Sequence, residues 1–353
     1  MNRGSRWPRS LASAICWAAI GCFVVATRVD AVESSAIEAA RIYSEQNGGE
    51  AFVVLRLGRV LHESYAGRGG PLRPKRVMSI TKSLIAVAGF AAAGEGWLDL
   101  DEPVARTITE WTGQRADVTL RQLLNQTSGL ASGHSTIYGR AVRDKVAAAL
   151  RLDVVTTPGT RFDYGAGNYE VFGEVLRRKL AARCRRTVVD YVTEVLRPTG
   201  ASLGGWDRDR NGEPFYSTGA WLTARDLARF GELVRTRGRA GIWPVIPATA
   251  FDTARLGSAA NSMYGLSFWL NRNAQRSDAE PISVEGTLGD ELAPDQWARS
   301  SLSATAPSDL IAMIGSGGLR CYILPAEKMV LVRFGNGHGF SDAEFLAKFF
   351  ANQ

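Results

Sequence analysis

The chain has 353 residues, 45% of them hydrophobic and 22% charged, with four cysteines. That excludes a disordered chain, a collagen-like chain and a disulfide scaffold, and gives room for one large domain or two lobes around a common cleft. The formal charge is +7, of which residues 1–31 supply a surplus of three (four arginines against one aspartate), leaving +4 for the rest. The basic cluster Arg177, Arg178, Arg183, Arg185 and Arg186 has no interleaved aromatics, so it reads as a solvated helix face rather than a nucleic-acid surface.

In chain order, Arg3, Arg6 and Arg9 precede an apolar run from Leu11 to Ala26, followed by Val29-Asp30-Ala31. This is the layout of a secretory signal peptide over residues 1–31, with an uncleaved signal anchor as the alternative. The expected location is the periplasm or the exterior, with no membrane association beyond export. Removing the signal removes Cys16 and Cys22. Cys184 and Cys321 are far apart in sequence, and both are expected to be free, buried thiols.

A helix is expected over Ser34–Gln46, then a hairpin from Ala51–Leu57 and Val60–Tyr65. After a loop rich in Gly, Pro and Arg comes Ser79-Ile80-Thr81-Lys82, and an almost wholly apolar run to Ala93 that stops at Gly94. Thr119 and Gln122 form a capping-box pair. Helices follow at Ala141–Leu150, Tyr169–Ala182, Val188–Val195 and Leu222–Thr236, with a loop around Trp206. Tyr264–Leu270 is strand-like. Residues 271–308 are polar and too long for an ordinary connection, so they form a functional flap or are loosely ordered. Strands then recur at Leu310–Ile314, Gly318–Leu324 and Met329–Phe334, before a closing helix at Glu344–Phe350. Strands at both ends and helices between them predict an α+β fold. One antiparallel sheet is assembled from both termini, with a mostly helical lobe over roughly 95–255 and a sheet lobe from 32–94 and 256–353.

Chemistry concentrates at Ser79 and Lys82. Residues three apart share a helix face, and the helix here is apolar on most sides and hence buried. Burial disfavours the charged lysine and lowers its pKa. A neutral amine there can take the proton of a neighbouring serine and make it a nucleophile, while the helix N-terminus offers N–H groups to a developing oxyanion. Of the six lysines, Lys82 alone has a serine three residues before it. A Ser-His-Asp hydrolase is disfavoured: the histidines are His62, His134 and His338, all read as structural or surface groups. No closely spaced metal-ligand set stands out, and the chemistry needs no metal or cofactor.

Ser79–Lys82, the Gly96–Pro103 and Val118–Leu130 segments, Phe162–Gly173 and the Gly315–Phe334 strands together resemble the serine β-lactamase and penicillin-binding-protein superfamily, in its class C-like branch. The Trp221–Gly231 and Tyr264–Trp269 segments look most like its nylon-oligomer hydrolase and esterase members. The resemblance implies a covalent acyl-enzyme hydrolase with Ser79 as nucleophile, Lys82 as proton acceptor and Tyr164 as phenolate or hydrogen-bond relay. It implies oxyanion donors at the backbone of Ser79 and Gly318, and substrate contacts at Ser316 and Gly317. Trp206, Trp221 and Trp269 are candidate aromatic walls. Two departures matter: Ala166 stands where lactamases carry asparagine, and Gly315-Ser316-Gly317-Gly318 lacks the usual leading cation. Both favour an ester or small amide over penicillins or cell-wall peptides. β-Lactamase or D-alanyl peptidase activity, or a non-catalytic binding protein on the same scaffold, are the alternatives.

Overall fold

In a computed structural model the structure describes residues 34–138, 142–289 and 292–351. The expected signal peptide, with Cys16 and Cys22, lies outside them. Helix α1 spans 34–46 and leads into the hairpin β1 (Gly49–Arg56) and β2 (Arg59–Tyr65). Helix α2 is Ile80–Gly94, α3 is Gly167–Arg183 and α4 is Ala224–Arg235. Short strands β3 (Tyr264–Gly265) and β4 (Phe268–Leu270) precede β5 (Ile311–Gly315), β6 (Leu319–Leu324), β7 (Met329–Gly335) and the closing helix α5 (Asp342–Phe350).

These strands form one seven-stranded sheet in the order β2-β1-β7-β6-β5-β4-β3, and β1 from the start of the chain pairs antiparallel with β7 from its end. This is the β-lactamase-like sheet expected from the two ends of the sequence. Strand periodicity explains its two layers. Val53 and Leu55 point to one face, where they meet Val330, Val332, Leu227 and Phe230. Phe52 and Val54 point to the other, against Ile37, Leu331, Phe345 and Phe349. Both faces are covered, so β6 and β7 are buried along their whole length and read as continuous apolar runs instead of alternating ones.

Most boundaries fall within two or three residues of expectation, and the Thr119 capping box is present. Three differences are informative. The Tyr264–Leu270 run breaks into two strands because Leu266 and Ser267 take φ of 43° and 90°, forming a turn. The Trp206 loop contributes a strand, Gly205–Trp206, to a three-stranded ribbon with Lys75–Arg76 and Ala220–Leu222. The third is the polar stretch 271–308, whose described residues form a hydrogen-bonded cap. Asn271 donates to the carbonyls of Ser303, Ala306 and Pro307 at 3.0–3.2 Å and accepts from the amides of Leu302 and Ser303. Asn273 ties down Trp297 O and Ser300 O. One amide side chain replaces the ladder bonds that a strand would have supplied, which is why low hydrophobicity did not mean disorder. Cys184 and Cys321 are both free; Cys321 is buried, but Cys184 is only half-buried.

Candidate active site

Helix α2 begins immediately after Ser79. Its residues from Ile80 to Ala92 are all buried, as an all-round apolar helix requires. Ser79 occupies the N-cap position, yet its hydroxyl makes no capping bond, so the oxygen is left for chemistry. Met78 just before it has φ of 51°, a conformation costly for a side chain of this size and of the kind that clusters at functional sites. On the other side Gly315 packs so closely that a Cβ there would lie 2.4 Å from Val77 O. Glycine at the end of β5 is therefore what allows the sheet edge to approach the serine.

Lys82 Nζ lies 3.1 Å from Ser79 Oγ and 3.2 Å from the carbonyl of Ser217. The side chain is fully buried among α2, α3 and the ribbon, and burial pulls its pKa from 10.5 down to about 7, opposed by the charge of Glu170. Its amine also faces the Tyr164 ring, 4.9 Å from the centroid. Tyr164 lines the cleft together with Ser79, and burial raises its phenol well above 10. At rest Tyr164 is therefore a phenol and Lys82 the basic group, which removes the phenolate option for the unliganded site. Ser79, Lys82 and Tyr164 are thus brought together from two separate segments.

The ribbon explains how Ser217 reaches Lys82. Val77 N donates to Ala220 O at 2.9 Å, and Ala220 N donates to Thr81 Oγ1 at 3.1 Å. Behind it, Glu170 of α3 accepts from Ser217 Oγ at 2.6 Å, Ser217 N at 3.0 Å and Tyr216 N at 3.2 Å. Burial raises the Glu170 pKa, while these three donors and Lys82 hold it down. Neither Ser217 nor Glu170 stood out in the sequence. The available signal was an acidic residue in the first turn of a helix that is otherwise buried there, a position where a carboxylate needs partners.

The third segment departs from expectation. Gly317 N and Gly318 N both donate to the Glu285 carboxylate, at 2.9 and 3.2 Å. Gly318 is therefore not the second oxyanion donor, and neither Gly317 nor Gly318 lines the cleft beside Ser79. Ser316 does line it, and among the described residues neither Ser316 N–H nor Ser79 N–H has an acceptor. Unpaired backbone donors beside a cleft call for a ligand acceptor. β5 ends at Gly315, so the first residue beyond the strand is Ser316, two residues before the Gly318 that the resemblance implies.

The cleft measures about 640 Å³ and is walled by Met78, Tyr138, Phe215, Leu288 and the cations Arg76, Lys145, Arg208 and Arg210. The expected tryptophans are elsewhere. Trp206 donates to Phe215 O at 3.0 Å and supports the ribbon from behind, Trp221 is bonded to Asp207, and Trp269 is buried against Tyr264 and Trp297. Tyr138 and Phe215 supply the aromatic surface instead. His134 is exposed, as expected of a surface group, and also lines the cleft, but no hydrogen bond joins it to Ser79.

A serine and a tyrosine at the floor of a cleft, a buried lysine behind them and two unpaired amides beside them define a serine hydrolase. The chain belongs to the β-lactamase family, whose model matches residues 35–351. Esterase EstB of Burkholderia gladioli is 26% identical over 302 residues, 77% of this chain and 75% of that protein. A family VIII carboxylesterase superposes with a TM-score of 0.64 at 17% identity, covering 90% of this chain and 96% of that one. A protein named as a 6-aminohexanoate-dimer hydrolase, from Bacillus anthracis, superposes with a TM-score of 0.64 at 18% identity, covering 87% and 78%.

Proposed function

We propose that the protein is an exported esterase or small-amide hydrolase that works through an acyl-Ser79 intermediate. The observation that carries this is the buried Lys82 amine, its pKa lowered to about 7 and 3.1 Å from Ser79 Oγ. In the first half-reaction the Ser79 hydroxyl proton passes to neutral Lys82 as Oγ attacks the carbonyl carbon. The oxyanion is held by the Ser79 and Ser316 N–H groups. Collapse expels the alkoxide or amine, which takes its proton from the Tyr164 phenol while Lys82 resupplies Tyr164. Water then attacks the acyl carbon, giving its proton back along the same path, and the acid leaves with Ser79 restored.

The likeness to EstB favours an ester over a lactam. So does the residue set: Met313, Ile314 and Gly315 end the strand, and Ala166 is buried with no polar atom to offer a substrate amide. β-Lactam or D-alanyl peptide cleavage is the second reading, favoured only by the shared family. Export rests on the 1–31 layout, which makes 32–353 the mature hydrolase.

The test is turnover of p-nitrophenyl acetate and nitrocefin by wild type and Ser79→Ala, with fluorophosphonate labelling. We expect ester turnover and labelling that both vanish in Ser79→Ala, and nitrocefin hydrolysis slower by roughly a hundredfold or more. Full ester turnover in Ser79→Ala contradicts the nucleophile assignment, and efficient nitrocefin hydrolysis favours the second reading.

A further inference from the structure

The turn after β5 is clamped almost completely. Arg320 Nη1 donates to Gly315 O at 3.1 Å and to Leu319 O at 3.0 Å. Arg333 Nη1 donates to Gly318 O at 2.6 Å. The carboxylate of Glu285 takes the amides of Gly317 and Gly318 and pairs with Arg320 Nη1 at 2.8 Å. Arg320 is itself fixed by Asp342 through bonds of 2.6 and 2.9 Å. Of the amides from Ser316 to Gly318, Ser316 N–H alone is left unspent among the described residues, and its residue lines the cleft.

Glu285 does not belong to the turn. It sits in a four-residue helix of the cap, Val284–Thr287, whose Val284 is buried in the core that contains Trp297 and Phe162. We propose that Glu285 is a positioning residue for the oxyanion hole. Its carboxylate holds two successive glycine amides away from the cleft, so that the preceding Ser316 N–H points into it. Gly317 and Gly318 have φ of 84° and 68°, a conformation that leaves the turn free to adopt other states unless something outside it fixes the choice. Glu285 thereby acts on the reaction without lining the cleft. This rests on the acyl-Ser79 reading above.

Two effects of the carboxylate oppose each other. Its hydrogen bonds aim a donor at the oxyanion, whereas its negative charge disfavours an oxyanion nearby. Arg320 at 2.8 Å offsets the charge, so the aim dominates. Glu285→Gln removes the charge and keeps one acceptor; Glu285→Ala removes both. The full mature chain is assayed with p-nitrophenyl acetate and with phenylboronic acid, whose tetrahedral adduct on a serine places an oxygen in the oxyanion position.

We expect kcat to fall roughly tenfold to a hundredfold in Glu285→Ala and about threefold to tenfold in Glu285→Gln, with KM changed by less than about threefold. Boronate affinity should fall in the same order, and hydrogen exchange at Gly317 and Gly318 should accelerate in the alanine variant. A merely structural loss would lower the folded fraction and leave kcat per folded molecule and boronate affinity alone. That result overturns the proposal, as does a Glu285→Gln enzyme at or above wild-type kcat, which holds even where the alanine variant does not fold. Wild type without Ser79-dependent turnover contradicts the catalytic reading together with this one. Ser79-dependent turnover with unaltered Glu285 variants contradicts this one alone.

Discussion

The two walls of the cleft are built on different principles. The α2 wall carries its chemistry in a continuous apolar helix, where Ser79 and Lys82 are three residues apart and burial is the largest influence on the lysine. The opposite wall, from Ser316 to the cap, is a mosaic of a glycine turn with two arginines and two carboxylates drawn from residues 285, 320, 333 and 342. The first is encoded locally and shows itself in a short window. The second is encoded in side chains far apart, whose relation exists only after folding. Hydrophobic burial sets the reactivity of one wall, and hydrogen-bond accounting sets the geometry of the other.

The comparison breaks most sharply at Lys82. Lys82→Met should reduce acylation roughly ten-thousandfold or more, since nucleophile and base act as a unit. The same change should stabilise the protein near neutral pH. The folded pKa of about 7 lies below the free value of 10.5, so between these values the unfolded chain binds the extra proton. Stability from this group is therefore complete only above about 10.5 and is lost as pH falls through about 7. Thermal melts of wild type and Lys82→Met at several pH values check this: the gap should widen in favour of the variant as pH falls. A variant less stable than wild type at low pH would mean the amine is not a buried liability.

Next in size is Tyr164→Phe, which keeps the ring against Trp269 and removes the proton relay. It should cost roughly a hundredfold to ten-thousandfold in kcat with little change in melting temperature. Trp297→Ala addresses the mosaic wall instead. Trp297 is buried against Phe162 and Trp269, which back Tyr164, and its loss should cost about 3–5 kcal/mol by denaturant titration. Equal losses of stability from Tyr164→Phe and Trp297→Ala would erase the distinction between a reacting group and its support.

The smallest effect is expected at Glu170, which supports the α2 wall by holding Ser217 against Lys82. Its charge raises the Lys82 pKa, so Glu170→Gln should move the rising limb of the pH–rate profile to lower pH, with kcat falling roughly tenfold as Ser217 loosens. A limb that moves upward would reverse the sign assigned to this interaction.

How much of this was legible in the sequence follows the same division. The antiparallel sheet, the α2 nucleophile pair and the Thr119 cap are local patterns, and each was readable. Tyr164 required the family resemblance, because nothing in its own neighbourhood distinguishes it from a packed aromatic. The unpaired amide beside the cleft belongs to Ser316 and not to the expected Gly318, because a glycine run gives no register until the strand end at Gly315 is known. The 271–308 stretch reads as either a flap or a loose segment because polar composition hides the work of Asn271 and Asn273. Trp206 was attractive as a platform only because a large aromatic in a polar loop suggests a ligand; its indole N–H is spent on Phe215 O.

The central claim is that a neutral, buried amine activates Ser79, and the rate of Ser79 acylation against pH tests it most directly. Burst kinetics with p-nitrophenyl acetate should show a single limb rising with an apparent pKa near 7, the value burial imposes on Lys82. Acylation that is flat from about pH 5 to about pH 9, or that persists in Lys82→Met with its profile unchanged, would contradict it.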